Sequence, residues 1–235
     1  MVSQVALAIP IYCDSIAVAA HTAKKHLEDV LAFKEMVYSM PSYTSAGTGS
    51  TIPATQTTPS TQVVPPAYTI RPTFDISGKI NDFFGNIVSL FDYFSQVINL
   101  VYINPPLEEK RVQFDRIVNA MQCAGCQNEP LTQYVTTLQG SQWYLDLVPF
   151  RHCKTHRKII QFDVLLRQAS IQTSPWPSIT TILLPDDPYS NRPTYNTQRE
   201  MQIFGVDIFK NSLSGMDHMF SLLETKVTAS GHIPI

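Results

Sequence analysis

A proline-rich, almost uncharged stretch at residues 41–74 sets the strongest limit on how this chain can fold. Nineteen of its 34 residues are Ser, Thr or Pro, and Arg71 carries its only charge. Repeated prolines interrupt helices and remove the N–H donors that strands need. We therefore expect an extended arm, which divides the chain into an N-terminal helical head (1–40) and a globular α+β domain (75–235).

The sequence leaves three interpretations of this arm (residues 41–74) open. Its composition is typical of a disordered linker and of a glycosylated, mucin-like stalk. It also suits a segment that follows a fixed path only where it lies on a protein surface. The missing signal peptide argues against the stalk, and composition alone favours the linker. The low content of charged residues, 15% of the chain, favours a component of an assembly, because weakly hydrated surface is often covered by a partner.

The head is predicted to contain the first of two long amphipathic helices. Residues 2–12 are apolar and β-like, and Pro10 breaks them. Asp14 or Ser15 can cap a helix that ends before Pro41. The apolar residues that recur at helical spacing in it are Ile16, Ala20, Ala23, Leu27, Val30, Leu31 and Val37.

The second long helix is predicted at residues 77–102. Large apolar side chains recur there at three- and four-residue steps, and they form an aromatic stripe that we expect in the core. A shorter helix is expected from Pro106 to about Met121, because proline fits the first helical position.

The C-terminal half is predicted to be rich in β-strands. Trp143, Leu145 and Leu147 alternate with other residues as in a strand. Further strands are expected within 159–171, 178–184 and 201–209, with a helix as the alternative for Phe162–Arg167. A final helix is expected from about 212 to 227. The expected fold class is therefore α+β, with a helix-rich N-terminal half and a β-rich C-terminal half that ends in a helix.

Charge and hydropathy limit where the chain works. A net charge of −2 gives no bulk attraction to nucleic acid. The N-terminus has no basic region ahead of its apolar residues, so we expect a protein that is not secreted. The apolar region 76–103 contains Lys79, Asp82 and Asp92, which argues against a membrane span.

The strongest chemical motif is a set of cysteines and histidines. Cys123 and Cys126 form C-x2-C, and after a 26-residue spacer Cys153 and His156 form C-x2-H. Four N or S ligands suit the tetrahedral coordination of zinc and leave no position for water, so such a zinc would be structural. His152 is an alternative fourth ligand. The competing interpretations are reduced cysteines that pack as small apolar residues, and a redox pair.

A dense basic run overlaps the second half of this motif. It carries four fixed positive charges within residues 151–158, namely Arg151, Lys154, Arg157 and Lys158. Such a run can contact phosphates, and it is also typical of a solvated rim.

Catalytic motifs are absent from the sequence. It contains no phosphate-binding loop, nucleophile elbow, zinc-protease motif or dinucleotide-binding fingerprint. Asp186 and Asp187 stand between prolines, which is typical of a turn. We therefore predict a protein that is not an enzyme.

Few charges, many Thr, Pro and Gln residues and a long arm make the composition similar to that of virus capsid and other virion structural proteins, whose arms tie subunits together. The predicted function is a structural or scaffolding subunit of an assembly in a cytoplasm or a virion. Its partners would be protein subunits of the same or a neighbouring type. The alternative is a zinc-containing nucleic-acid-binding or regulatory protein that uses the run 151–158.

Overall fold

Six α-helices and a small three-stranded sheet make up the part of the chain that the computed structural model describes, residues 2–39, 74–155, 159–168 and 178–229. Helices account for 73% of these residues. The predicted arm falls almost wholly outside them, as do residues 156–158 and 169–177.

Five helices precede the strands along the chain, and one follows them. In chain order they are α1 (Val2–Ser39), α2 (Phe74–Tyr102), α3 (Phe114–Cys123), α4 (Pro130–Gln139), α5 (Gln142–Thr155) and α6 (Met201–Ala229). The strands, between α5 and α6, are β1 (Asp163–Gln168), β2 (Ser178–Leu184) and β3 (Arg199–Glu200). A short 3₁₀ turn, Glu109–Arg111, precedes α3.

Helices α1 and α2 pack side by side in opposite directions. Ala23 and Val30 of α1 are fully buried, and so are Ile80 and Phe83 of α2. An ion pair between Lys79 Nζ and the Asp29 carboxylate, 2.7 Å apart, fixes how the two helices are aligned. The inner face of α1 is therefore part of the chain's own core.

Helix α2 lies at the centre of the fold because its aromatic stripe meets several other helices. Its Phe84 ring stacks on Phe150 of α5 at a centroid distance of 4.1 Å. Its Phe94 ring meets Phe220 of α6 edge-on at 4.9 Å. Phe84 and Phe94 are at most 1% exposed, which confirms the predicted core role of the stripe.

The prediction of a β-rich C-terminal half is wrong. Trp143 and Leu147, read as part of a strand, belong to α5, and the expected strand 201–209 is the start of α6. In α5 the buried residues Tyr144, Leu147, Phe150 and Cys153 recur at three-residue steps, while Leu145 is 49% exposed. The alternation of Trp143, Leu145 and Leu147 therefore does not reflect a strand. The helical period determines which face of α5 is buried.

Two helix boundaries also differ from the predictions. Helix α1 begins at Val2 rather than at Asp14 or Ser15, and it runs through Pro10. Proline removes one backbone donor, but Pro10 lies on the exposed side of the helix, where water can satisfy the freed carbonyl. The helix predicted from Pro106 is replaced by the 3₁₀ turn and α3.

Side chains of α2 explain this second difference. The Asn99 carboxamide accepts a hydrogen bond from Leu107 N–H at 2.8 Å and donates one to the Leu107 carbonyl at 3.0 Å. Gln96 donates to the Glu109 carbonyl at 3.0 Å. These bonds hold the segment across the end of α2 and occupy backbone groups that a helix would need.

The sheet is antiparallel with β2 in its centre. Asp163 of β1 stands opposite Leu183 of β2, and Leu183 also stands opposite Glu200 of β3. Ile182 and Leu184 are fully buried, so the face of β2 on which they lie packs against the core. The predicted strand at 178–184 is confirmed.

No helix among the described residues has both the length and the apolar character that a membrane crossing requires.

Replacement of Phe84 by Ala tests the central role of α2. The change removes a ring that joins α2 to α5, and we expect the free energy of unfolding to fall by about 3–5 kcal/mol. Ile203→Ala is the control, because Ile203 is 61% exposed and its truncation should cost less than about 0.5 kcal/mol. Urea denaturation measures the free energy of unfolding of both variants, and equal losses of it would contradict the central role of α2.

Candidate functional site

The C-x2-C motif forms the C-terminal end of α3. Gly125 has a positive φ of 80°, and its N–H donates to the Gln122 carbonyl at 3.0 Å. The N–H of Cys126 donates to the Met121 carbonyl at 2.9 Å. These two bonds make a Schellman motif, which ends a helix at a glycine and usually brings an apolar contact with it. The sharp turn at Gly125 therefore serves as a helix cap.

The two cysteines of this turn lie in different surroundings. Cys123 is exposed, whereas Cys126 is half-buried, with its Sγ 3.9 Å from the Tyr102 carbonyl oxygen at the end of α2. Burial and then the Glu129 carboxylate raise the pKa of Tyr102 to about 12. Cys126 therefore lies against the backbone of a largely buried residue.

Cys153 lies elsewhere, fully buried on α5, with its thiol 3.2 Å from the Pro188 carbonyl oxygen. One turn before it, Phe150 stacks on Phe84 of α2, whereas Cys126 contacts Tyr102. Eighteen residues separate these two levels of α2, which at 1.5 Å per residue is about 27 Å. The structure does not bring Cys153 to the Cys123–Cys126 turn.

The histidines of the predicted zinc site lie beyond what the structure describes. His156 falls outside the described residues, as does the side chain of His152. Within the described ranges, no three or more His, Cys, Asp or Glu side chains are arranged to hold a metal. The described cysteines do not form one ligand set, and zinc binding stays a prediction.

Arg151, the first residue of the basic run, is an internal ion-pairing residue. Its guanidinium lies 2.9 Å from the Asp92 carboxylate of α2 and 3.3 Å from the Asp115 carboxylate of α3, and its side chain is 13% exposed. It thus links three helices rather than facing solvent. The side chain of Lys154, and Arg157 and Lys158, lie outside the described residues.

The Asp186 carboxylate organises a loop. It accepts hydrogen bonds from the Thr194 hydroxyl at 2.7 Å and from the N–H groups of Asn196 and Thr197, both at 2.9 Å. Together with the Thr197 hydroxyl, these donors hold its pKa well below the usual range. The turn expected here is confirmed, and the acceptor positions of this carboxylate are used within the loop.

Cys13 has no sign of activation as a nucleophile. Burial, followed by the neighbouring Asp14 carboxylate, raises the pKa of its thiol. The thiol therefore stays protonated at neutral pH, and the thiolate is the reactive form.

An open groove runs between α1 and α2. It has a volume of about 360 Å³, and its lining residues are Ile11, Asp14, Ser15, Val18 and Ala19 of α1 and Asn86 and Tyr93 of α2. Ile11 is 63% exposed and Val18 is 64% exposed, so two large apolar side chains stand in solvent at its rim.

Sequence reasoning missed this groove because it began the helix at Asp14 or Ser15 and left Ile11 outside. The signal that could have found it is the seven-residue spacing of Ile11 and Val18, which places both on one face of a continuous helix.

Arg151→Gln tests whether this residue holds helices together. The change leaves Asp92 and Asp115 without their common partner. Because those carboxylates are 37% and 53% exposed, water compensates in part, and we expect a loss of about 1–3 kcal/mol in the free energy of unfolding. The exposed Arg116→Gln is the matched control. Unchanged urea denaturation of R151Q would contradict the structural role.

Gly125→Ala tests the helix cap. Alanine is strained at positive φ, so we expect a destabilisation of about 1 kcal/mol. Gly78→Ala is the matched control with the opposite sign. Gly78 lies within α2 with nothing within 4 Å of an added Cβ, so alanine there should stabilise by about 0.5–1 kcal/mol. Thermal and urea denaturation measure the stability of both variants. Stability changes of the same sign in the two variants would contradict the cap.

No protein-family model, curated protein or solved structure matches this chain.

Proposed function

We propose that this protein is a structural or scaffolding subunit of a larger macromolecular assembly, which the arm (41–74) ties to a neighbouring subunit. The observation that carries the proposal is a mismatch between the length of the connection from α1 to α2 and the short distance that it has to bridge.

The C-terminal end of α1 and the N-terminal end of α2 lie close together. The Asp29–Lys79 ion pair sets their alignment, and both helices continue from there in the same direction, to Ser39 and back to Phe74. With a rise of 1.5 Å per residue and helix axes 8–10 Å apart, the two ends are separated by roughly 10–15 Å. Antiparallel helices are usually joined by 2–8 residues, whereas 34 residues stand between Ser39 and Phe74.

The composition of the arm says what the surplus length is suited to. An extended segment of this length could reach roughly 100 Å. Its Ser, Thr and Pro residues offer hydrogen-bonding groups and rigid turns but too little apolar surface for a core of its own. Such a segment gains order by lying on another protein surface, which supports a tether between subunits.

Charged and thiol side chains that could take part in catalysis are used here in structural contacts, which supports a structural rather than an enzymatic role. Arg151 joins three helices, Asp186 organises a loop, and the thiol of Cys153 is buried against a backbone carbonyl. The internal pairing of Arg151 also weighs against its use in phosphate binding. A virion structural protein is the specific form of the proposal, and it rests on the similarity of composition alone.

The test replaces residues 41–73 with a loop of about six Gly and Ser residues, long enough to join α1 to α2. Deletion of residues 1–74 would be a poorer test, because it removes α1 from the core. We expect the short-loop variant to keep the fold and to gain about 1–2 kcal/mol from the smaller cost of loop closure. We also expect it to lose assemblies larger than a dimer.

Sedimentation velocity and light scattering on the purified full chain measure the assembly. A Gly/Ser arm of the original length is the control, and it should also form nothing larger than a dimer, because the proposal requires the residues of the arm and not only its reach. A short-loop variant that assembles like the parent would refute the tether.

A further inference from the structure

The solvent-facing side of α1 carries an ordered set of exposed side chains, of which Glu28 pairs with its helix neighbour Lys24 at 3.8 Å. The set, here called the outer face of α1, consists of Ile11, Asp14, Val18, His21, Lys25 and Glu28. These residues alternate at three- and four-residue steps, so they form one stripe along the helix. All of them are exposed, and the buried residues of α1 lie on its opposite side.

The apolar members of this stripe stand beside the groove. Ile11 and Val18 are two turns apart, and Tyr93 and Asn86 of α2 continue the groove on its far side. A helix packs most readily into a trough between two others, because its side chains then meet apolar surface on two sides. The groove is thus shaped for one more helix beside α1 and α2.

The order of charges on the outer face favours one alignment of a second copy of α1. Asp14 lies towards its N-terminal end and Lys25 towards its C-terminal end. A second copy of α1 that lies antiparallel places its Lys25 against Asp14 and its Asp14 against Lys25. In the same alignment Val18 meets His21 of the second copy, and Ile11 packs on the stem of its Glu28. A parallel copy would place like charges together.

We propose that the outer face of α1 is a contact between two copies of this chain, with the two α1 helices antiparallel about a two-fold axis near residues 19 and 20. Such a contact is self-complementary, as a two-fold interface requires. The inference rests on the proposed assembly role in one respect, since it names a second copy as a partner within that assembly. Its physical basis, the outer face and the groove, is separate from the arm.

Two large apolar side chains per copy make a small interface, so the dimer is weak and reversible. Its charge pairs are exposed, which makes association weaker at high salt.

The experiment is a charge exchange in the full chain, followed by sedimentation equilibrium over a range of concentrations. Asp14→Lys places lysines together at both ends of the contact, and Lys25→Asp places aspartates together. Each single variant should weaken dimerisation by about tenfold or more. The double variant D14K/K25D restores opposite charges in the antiparallel alignment, so its dissociation constant should return close to that of the parent.

Asp217→Lys and Lys210→Asp are the matched controls, because they make the same charge changes at exposed positions of α6. Both should leave the dimer unchanged. Val18→Asp buries a charge at the centre of the contact and should abolish it, while circular dichroism shows that the fold remains.

A parent chain that is monomeric at all concentrations overturns the inference, as does a double variant as weak as the singles. The two proposals can fail separately. A short-loop variant that still dimerises but forms nothing larger supports both. A parent whose assemblies depend on the arm, but which D14K and K25D do not weaken, leaves only the tether standing.

Discussion

The burial of α2 is the constraint on which the rest of the structure depends. Its large apolar side chains point in several directions, and Phe83, Phe84, Phe91 and Phe94 are each at most 2% exposed. Burial of one such ring stabilises a fold by about 1.5–3 kcal/mol, so a helix of this kind needs a partner on every side. Helix α1 covers one side, α3 and α5 cover another, and α6 covers a third. The other helices are therefore arranged around α2 so that they cover its apolar surface.

The same constraint explains how much of the fold the sequence can predict. The long run of large apolar residues at three- and four-residue steps predicts α2, and its end at residue 102 is confirmed. The pattern in α5 is ambiguous, because Trp143 and Leu147 fit a strand as well as a helix. The choice is made by contacts with α2, where Tyr144 and Phe150 meet its aromatic rings, and such contacts cannot be read from a local pattern.

The candidate site shows the same limit at the level of single residues. The C-x2-C spacing predicts a turn with glycine inside it, and that turn is present. The turn alone does not specify its use, since a helix cap and a metal knuckle both require it. The basic run is a similar case, because sequence gives the charge of Arg151 but not the two carboxylates that face it across 36 or more residues of chain. Local chemistry is predictable here, whereas long-range pairing is not.

The chain has few charges, and several of them join separate elements. Lys79 pairs with Asp29 between α1 and α2, and Lys226 pairs with Glu129 across 2.6 Å between α6 and the start of α4. The outer face of α1 differs, because its charges are exposed to solvent, and their order is the basis of the proposed contact with a second copy. In the proposed assembly that contact would be weak alone, and a tether that holds a second contact nearby would raise its effective concentration without any new interface. Because the inner face of α1 is already buried against α2, the fold and the proposed contact would use opposite sides of the same helix.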